Sequence, residues 1–439
     1  MNRPKRILGA AGLFAAALAL CPPPGLSLHA CTTAVISGAA TANGRPLLWK
    51  NRDADDLQNQ VVFCADGKYS YIGLVNRGDA AGEEIWAGMN EKGFAIMNAA
   101  SYNLEADAGT EAEGRFMKLA LQSCGTLVDF QALLEMTDPG GRDVSSNFGV
   151  IDASGGAAYF EAGRHRYRRF NADDPAIAPR GFLVRTNYSE SADDEKGTGF
   201  LRRERAQGLI EGLVKDRKLS VETLLREVAR DVANVRIGSF PLAPRKKGTP
   251  AFAYTGDSVC RYITSSAVVF EGAGSGRDPL LATAWVLLGQ PITGAAVPLW
   301  VGARGVPPEL AVGEEAAPLN AAFGEIRDQF YPDGRGDLSH YVDLESLNPP
   351  KGGLVQGLLG IEGGNVRLAQ ETAASWGQQA PDRAQLASLQ NMLAKQTLSS
   401  VLQLLETGRR SAPGKPREGR RAKPADQPKG PVTITDLPR

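Results

Sequence analysis

"CTTAVISGAATANGRPLLWKNRD" spans residues 31–53, and its pairing decides how the chain folds. Residues 32–37, TTAVIS, and 45–49, RPLLW, are β-prone runs. Asn43-Gly44 lies between them, and Asn-Gly is a strong two-residue hairpin signal because both residues tolerate positive φ. The stretch therefore predicts two antiparallel strands, the second running into a polar cluster, Lys50 to Asp53. A simple two-residue turn puts residue 42 opposite 45. Cys31 then faces Asp56, while Asp53 pairs with Ala34, on the opposite face from Cys31 and roughly 10 Å along the strand. That separates Cys31 from Asp53, so the pairing is expected to depart from the simple one through a bulge or longer loop within SGAATANG.

The residues before Cys31 read as an export leader. Asn2 to Arg6 is short and basic, Ile7 to Leu20 is apolar, and "CPPPGLSLHA" (21–30) ends in a small residue. The apolar run is too short for an ordinary membrane span. Cutting after Ala30 makes Cys31 the first residue of an exported chain, periplasmic or secreted. Leu28 and Ala30 also suit a lipobox, in which Cys31 would be lipidated. His29, and Pro22 to Pro24 standing between the apolar run and Cys31, do not.

With 439 residues the chain has room for one large domain or two ordinary ones. A net charge of zero gives no global pull toward nucleic acid, and no later segment resembles a transmembrane helix. A homo-oligomer is compatible with the sequence. Without Cys21, which leaves with the leader, the cysteines are Cys31, Cys64, Cys124 and Cys260. They show no tight framework spacing, and buried thiols or one disulfide both suit the last three. Only three histidines occur. His29 goes with the leader. His165, in GRHRYRRF, and His340, in DGRGDLSHY, read as surface polar residues, with catalysis as the alternative. No C-x-x-C or H-x-x-x-H occurs, so zinc chemistry is not expected.

Further strand-like runs lie at 71–76, 93–99, 147–152, 156–162, 181–186, 262–270, 280–289 and 298–303. Helical patterns cover about 114–136, 198–214 and 219–233. Hairpins, then helices, then strands again predict an α+β layered fold rather than alternating βαβ units. One domain is expected over 31–350 and a helical extension over 351–407. Within the extension, residues 382–406 form an amphipathic helix with Leu386, Leu389, Met392, Leu393, Leu398, Val401, Leu402 and Leu405 apolar. It is expected to pack on the body. Residues 408–439 hold nine Arg or Lys against three acidic residues and read as a disordered basic tail.

An N-terminal cysteine brings two reactive groups in one residue. Its thiol is a nucleophile, and its α-amine, with an ordinary pKa of roughly 7.7–8.0, can serve as base without any histidine. That is N-terminal-nucleophile (Ntn) logic. The stretch from Cys31 to Asp53 resembles the start of the cysteine Ntn hydrolases, in particular the group of acyl-coenzyme A:6-aminopenicillanic acid acyltransferase, carcinine hydrolase and choloylglycine hydrolases. WKNRD matches that group's Gly-Arg-Asn-x-Asp element, with Lys50 where most members have Arg. WAGMNEKGFAIMNAASYN (86–103), RTNYS (185–189) and GDSVCRYITSSAVVF (256–270) resemble three later segments, in family order.

The resemblance implies a four-layer αββα sandwich. It also implies an amidohydrolase or acyltransferase acting on a small-molecule acyl-amide, with no cofactor or metal. Cys31 becomes the nucleophile, and Asp53 the carboxylate holding its amine. Asn187 and backbone near Asn98 become oxyanion donors, and Arg261 a cation beside the nucleophile. Lys50, or Arg52 at the element's variable place, supplies the charge of the family arginine. The other reading is a lipid-anchored or inactive binding protein on the same fold.

Overall fold

The computed structural model describes residues 30–104, 112–193, 196–233, 252–311, 316–331, 340–347 and 353–411. The leader before Ala30, with Cys21 and His29, and the basic tail beyond residue 411 lie outside the described residues.

In chain order the elements are β1 (Thr32–Ile36), β2 (Leu47–Asp53), β3 (Asn59–Cys64), β4 (Tyr71–Asn76), β5 (Ala87–Asn90), β6 (Ala95–Ala100), α1 (Glu113–Ser123), α2 (Leu127–Thr137), β7 (Ser146–Ile151), β8 (Ala157–Ala162), β9 (Tyr167–Asn171) and β10 (Phe182–Arg185). There follow α3 (Phe200–Lys215), α4 (Val221–Thr223), β11 (Phe252–Tyr254), β12 (Thr264–Glu271), β13 (Thr283–Leu288), β14 (Val297–Leu299), α5 (Pro318–Phe330), β15 (Tyr341–Asp343), α6 (Leu344–Leu347), α7 (Leu354–Ser375) and α8 (Arg383–Ser411).

A six-stranded sheet runs β10-β1-β2-β12-β13-β14, and a seven-stranded sheet runs β3 to β9 in sequence order. Neighbouring strands are antiparallel in both. Between the sheets, Val35 and Leu48 share one buried cluster with Val61, Ile72, Met89, Met97 and Tyr159. On the outer side of the six-stranded sheet, Ala34, Ile36, Trp49 and Val184 pack with Ala206 and Ile210 of α3, Val366 of α7 and Leu389 of α8. On the outer side of the seven-stranded sheet, Ile96, Phe148 and Phe160 pack with Phe116 of α1 and Phe130 of α2. Alternating side chains of each strand thus feed two cores, which makes helix, sheet, sheet and helix four successive layers. This is the expected αββα sandwich.

The hairpin is wider than its Asn-Gly signal suggests. The link between β1 and β2 runs from Ser37 to Pro46, with a 3-10 turn at Gly38–Ala40 capped by the Ser37 hydroxyl. Gly44 does take a positive φ of 74°, but within this longer loop. Ala34 lies opposite Trp49 and Thr32 opposite Asn51, so the simple pairing is replaced; the shift removes the separation of Cys31 from Asp53 along the strands but leaves their side chains on opposite faces.

Other boundaries differ for local reasons. The helix read over 114–136 is two helices, because Thr126 and Asp129 form a capping box that starts α2 afresh after Gly125. The pattern at 219–233 yields only α4 and a π turn at Leu224–Val228. The C-terminal helix does pack on the body. Leu386, Leu389, Leu393, Val401 and Leu405 are buried, whereas Met392 and Leu402 are 39% and 48% exposed. Cys64, Cys124 and Cys260 are free thiols, the last two buried, and burial pushes Cys124 up to about 11 and Cys260 up to about 12.

Phe130 is the hub of the outer core of the seven-stranded sheet, with ring centroids of Phe94, Phe116, Phe148 and Phe160 at 6.2, 6.1, 5.8 and 5.1 Å. Phe130→Ala should cost about 3–5 kcal/mol, read from denaturant unfolding at unchanged m-value. A loss under about 1 kcal/mol would show that these rings do not form a packed core.

Candidate active site

Strand alternation sorts the polar run of β2. It is a central strand, paired to β1 on one side and β12 on the other, so all its residues are buried. Leu48 faces the space between the sheets, so Lys50 and Arg52 do too, while Trp49, Asn51 and Asp53 face the outer helices. Across β1, Val35 and Thr33 face the inner space. Cys31, one step beyond the last β1–β2 pair and level with Arg52, continues that face.

Each member of the run finds partners, as buried polar groups must. Lys50 Nζ donates to Trp86 O at 2.8 Å and to Asn98 Oδ1 at 2.7 Å, and Asn98 Nδ2 donates to Ser146 Oγ at 3.1 Å. Arg52 donates to Asn59 Oδ1 and Asn76 Oδ1, both at 2.7 Å, and lies 4.8 Å from the centre of the Trp86 ring. Asn51 Nδ2 donates to Ala229 O and Val259 O. Asp53 accepts from Arg261 Nη1 at 3.1 Å and from the Thr264 hydroxyl at 2.7 Å.

Asn187 stands at the end of β10. Thr33 pairs with Arg185, so carrying that register on by two residues sets Asn187 beside Cys31. The Cys31 N–H donates to Asn187 Oδ1 at 3.1 Å, and Asn187 Nδ2 donates to Ala100 O at 3.0 Å, at the end of β6 in the other sheet. The segment is braced on both sides. Asn147 Nδ2 donates to Thr186 O and Tyr188 O, and Glu161 accepts from Arg185 and from the backbone of Glu190 and Ser191.

One further side chain belongs here. Arg202, on the first turn of α3, donates to Cys31 O at 2.7 Å, to Thr32 Oγ1 at 2.9 Å and to Asn187 Oδ1 at 2.8 Å. Gly199 makes this approach available. Its φ is +86°, and a Cβ there would lie 2.5 Å from Arg202 Nη2 and 2.9 Å from Thr186 Cβ.

The electrostatics are one-sided. Burial pulls Lys50 down to about 8 and Arg52 down to about 10, each partly offset by the neighbouring Cys31. Burial also lowers Arg202, against the pull of Asp53 and Cys31. Arg261 is held above its ordinary value because Asp53 outweighs its own burial. Cations paid for by desolvation, converging on one cysteine, suit a site where negative charge must appear. Among the described residues no group of three or more His, Cys, Asp or Glu could hold a metal ion. His165, exposed, lies against Asp138 O, and His340 stacks on Tyr262 at 4.0 Å, so neither sits in this cluster.

Residues 40–206 match the sequence profile of the acyl-coenzyme A:6-aminopenicillanic acid acyl-transferase family. The chain resembles that family. Lys50, Arg52, Asp53, Asn98, Asn187 and Arg202 lie inside the matched span, while Cys31 lies just before it and Arg261 beyond it. No curated protein sequence matches. Solved structures with a measurable likeness include a Caenorhabditis elegans N-acylethanolamine-hydrolyzing acid amidase ortholog (17% identity, TM-score 0.35, covering 54% of this chain and 92% of that one). A variant of conjugated bile acid hydrolase from Clostridium perfringens gives 12% identity and TM-score 0.34, covering 59% of this chain and 89% of that one. Penicillin V acylase from Agrobacterium tumefaciens gives 14% and 0.35, covering 62% and 86%. The sandwich assignment rests on the sheet order and packing above, not on these values.

The structure thus brings Cys31, Lys50, Arg52, Asn98 and Asn187 together at one end of the inter-sheet space, with Asp53 and Arg261 paired on the outer side of β2. With Ala30 attached, the Cys31 nitrogen is an amide with one hydrogen, and that hydrogen goes to Asn187 rather than to Asp53. Arg202 was missed because FLRRERAQ offers several arginines and the sequence does not say which one turns inward.

The Lys50 shift has a sign that can be checked. Between pH 8 and about 10.5 the unfolded chain holds a proton that folded Lys50 has lost, so stability rises with pH across that window and the cost of the buried charge falls below it. Denaturation midpoints of wild type and Lys50→Met at pH 7 and pH 10 read this directly. The difference, wild type minus variant, should grow at pH 10; a fall would show Lys50 to be stabilised as a cation.

Proposed function

We propose that this chain is an exported N-terminal cysteine amidohydrolase, acting on a linear acyl-amide, with acyl transfer to an amine as its variant outcome. The observation that carries the reading is the Cys31–Asn187 pairing beside the buried cations Lys50, Arg52 and Arg202. It joins a nucleophile-bearing residue to an amide side chain suited to an oxyanion, in the order the family resemblance implies. Cys31 is 4% exposed, and a lipid on its sulfur would have to be accommodated inside the sandwich, which favours the nucleophile over the anchor.

Release of residues 1–30 turns the Cys31 nitrogen into an amine. The Cys31 thiol attacks the substrate carbonyl carbon, and its proton passes to that amine. Negative charge develops on the carbonyl oxygen, where Asn187 Nδ2–H and a backbone N–H near Asn98 receive it. Collapse breaks the C–N bond, the leaving amine takes the proton, and a thioester remains on Cys31. Water, activated by the same amine, attacks the thioester, releases the acid and restores the thiol; an amine in place of water gives transfer. Asp53, with Arg261 and Thr264 fixing its carboxylate, is the group proposed to hold the freed amine. The reaction needs no cofactor.

Cys31→Ala in a correctly processed chain should abolish turnover of an acyl-amide that wild type cleaves, with the fold intact by circular dichroism. A residue retained before Cys31 should do the same, because the base becomes an amide; activity there would turn attention to His165 and His340. Asn187→Ala should lower kcat about 10²–10³-fold with little change in KM. A change in KM alone would make Asn187 a substrate-binding residue.

A further inference from the structure

We infer that Arg202 is a positioning residue that fixes the nucleophile and the oxyanion donor to each other. This rests on the reading of Cys31 and Asn187 just given. The two side chains come from different strands, β1 and the end of β10, and their roles require a fixed relative geometry. Arg202 reaches both with one guanidinium, bonding Cys31 O and Thr32 Oγ1 through Nη1 and Asn187 Oδ1 through Nη2. A planar fork does this without the freedom of an ammonium.

The effect on Asn187 is directional. Its Oδ1 accepts from both Arg202 and the Cys31 N–H, at 2.8 and 3.1 Å. An amide flipped end for end would present NH2 to those two donors and lose both bonds. Arg202 therefore sets which end of the amide faces Cys31, and Nδ2 is turned toward Ala100 O and the seven-stranded sheet. An oxyanion donor must present N–H rather than oxygen, so a randomly flipped Asn187 would be inactive part of the time.

The effect on Cys31 concerns its place in the chain. Once residues 1–30 are released, Cys31 is a chain end, and chain ends fray unless tied down. Arg202 holds it by its carbonyl and by the neighbouring Thr32 hydroxyl. The grip comes from the outer face: Thr32 shares the outward side of β1 with Ala34 and Ile36, which pack on α3, whereas the Cys31 side chain faces inward. The clamp therefore does not occupy the space where substrate must enter. Arg202 is 4% exposed, so its hydrogen bonds are made out of bulk water.

The test uses Arg202→Met, Arg202→Gln and Arg202→Lys, each alone and the first combined with Asn187→Ala. The N-terminus of every chain is read by intact mass, and rates are expressed per Cys31-terminated molecule. Arg202→Met should lower kcat about tenfold to a hundredfold with KM nearly unchanged, the size expected for sub-ångström to ångström misplacement of reacting groups. Arg202→Lys should recover part of that loss. The double variant should be little slower than Asn187→Ala alone, because much of what Arg202 does passes through Asn187. Thermal unfolding checks each fold; if the Met variant does not fold, the Gln and Lys variants carry the comparison. Wild-type kcat in Arg202→Met or Gln, a loss confined to KM, or losses that multiply in the double variant would overturn the inference. Turnover surviving in Cys31→Ala would instead remove the underlying reading, so the two failures are told apart.

Discussion

The pairing of Thr32 with Asn51 is the constraint on which the site depends. Side chains alternate along a strand, so this register decides that Lys50 and Arg52, not Asn51 and Asp53, share the inner face with Cys31. A slip of one residue would exchange the two sets and turn Trp49 into the space between the sheets. β2 cannot relax to avoid this, because its backbone is bonded on both edges. The polar run must be satisfied where it lies, and the carbonyls, asparagines and hydroxyls of neighbouring strands do so. The long link from Ser37 to Pro46 is what makes the register reachable. It absorbs residues that a two-residue turn would have forced into the strands.

Much of the fold was legible in the sequence because the strands facing two cores are nearly continuous apolar runs. TTAVI, YIGLVN, AAYFEA and TAWVLL each stand out and each forms a strand. Strands that escaped notice have weaker patterns for physical reasons. Tyr167–Asn171 is an edge strand, paired only to β8 and carrying two arginines toward solvent or onto aromatic rings. Ala87–Asn90 is short and holds Gly88, where a Cβ would meet Leu121 at 2.5 Å. The turn at Asn43-Gly44 was readable as a turn, but its length was set by tertiary bonds, including Asn43 to Glu271 at 2.7 Å, that no local pattern announces.

The site was legible in a different way. Cys31 stood out through the leader that ends before it, and Asp53, Asn98, Asn187 and Arg261 through their likeness to a family; none stood out through periodicity, and their contacts could not be read in advance. Asn98 shows the difference. Its side chain is occupied by Lys50 and Ser146, so a catalytic contribution from this segment would come from backbone, while the side chain fixes the lysine. Lys50 in place of arginine also has a structural sense here. Its two described acceptors, Trp86 O and Asn98 Oδ1, are separate oxygens on the opposite sheet rather than one planar carboxylate, a geometry that an ammonium serves as well as a fork.

The scarcity of histidine and the abundance of buried cations belong together. A cysteine–histidine pair separates charge within the catalytic residues themselves. An N-terminal cysteine would pass its proton to its own amine, so the field around it must come from fixed neighbours. Lys50 and Arg52 on the inner face of the six-stranded sheet and Arg202 on its outer face provide such a field. Each is desolvated, which lowers its hold on its proton but strengthens its action on a nearby anion. Asp53 acts against this charge from the far side of β2, while its own partner Arg261 adds a cation there. The outer helix layer is therefore more than a cover for the sheet. Ala206 and Ile210 seat α3 against β1 and β10, and that seating delivers a guanidinium to the carbonyl of Cys31 from behind the sheet.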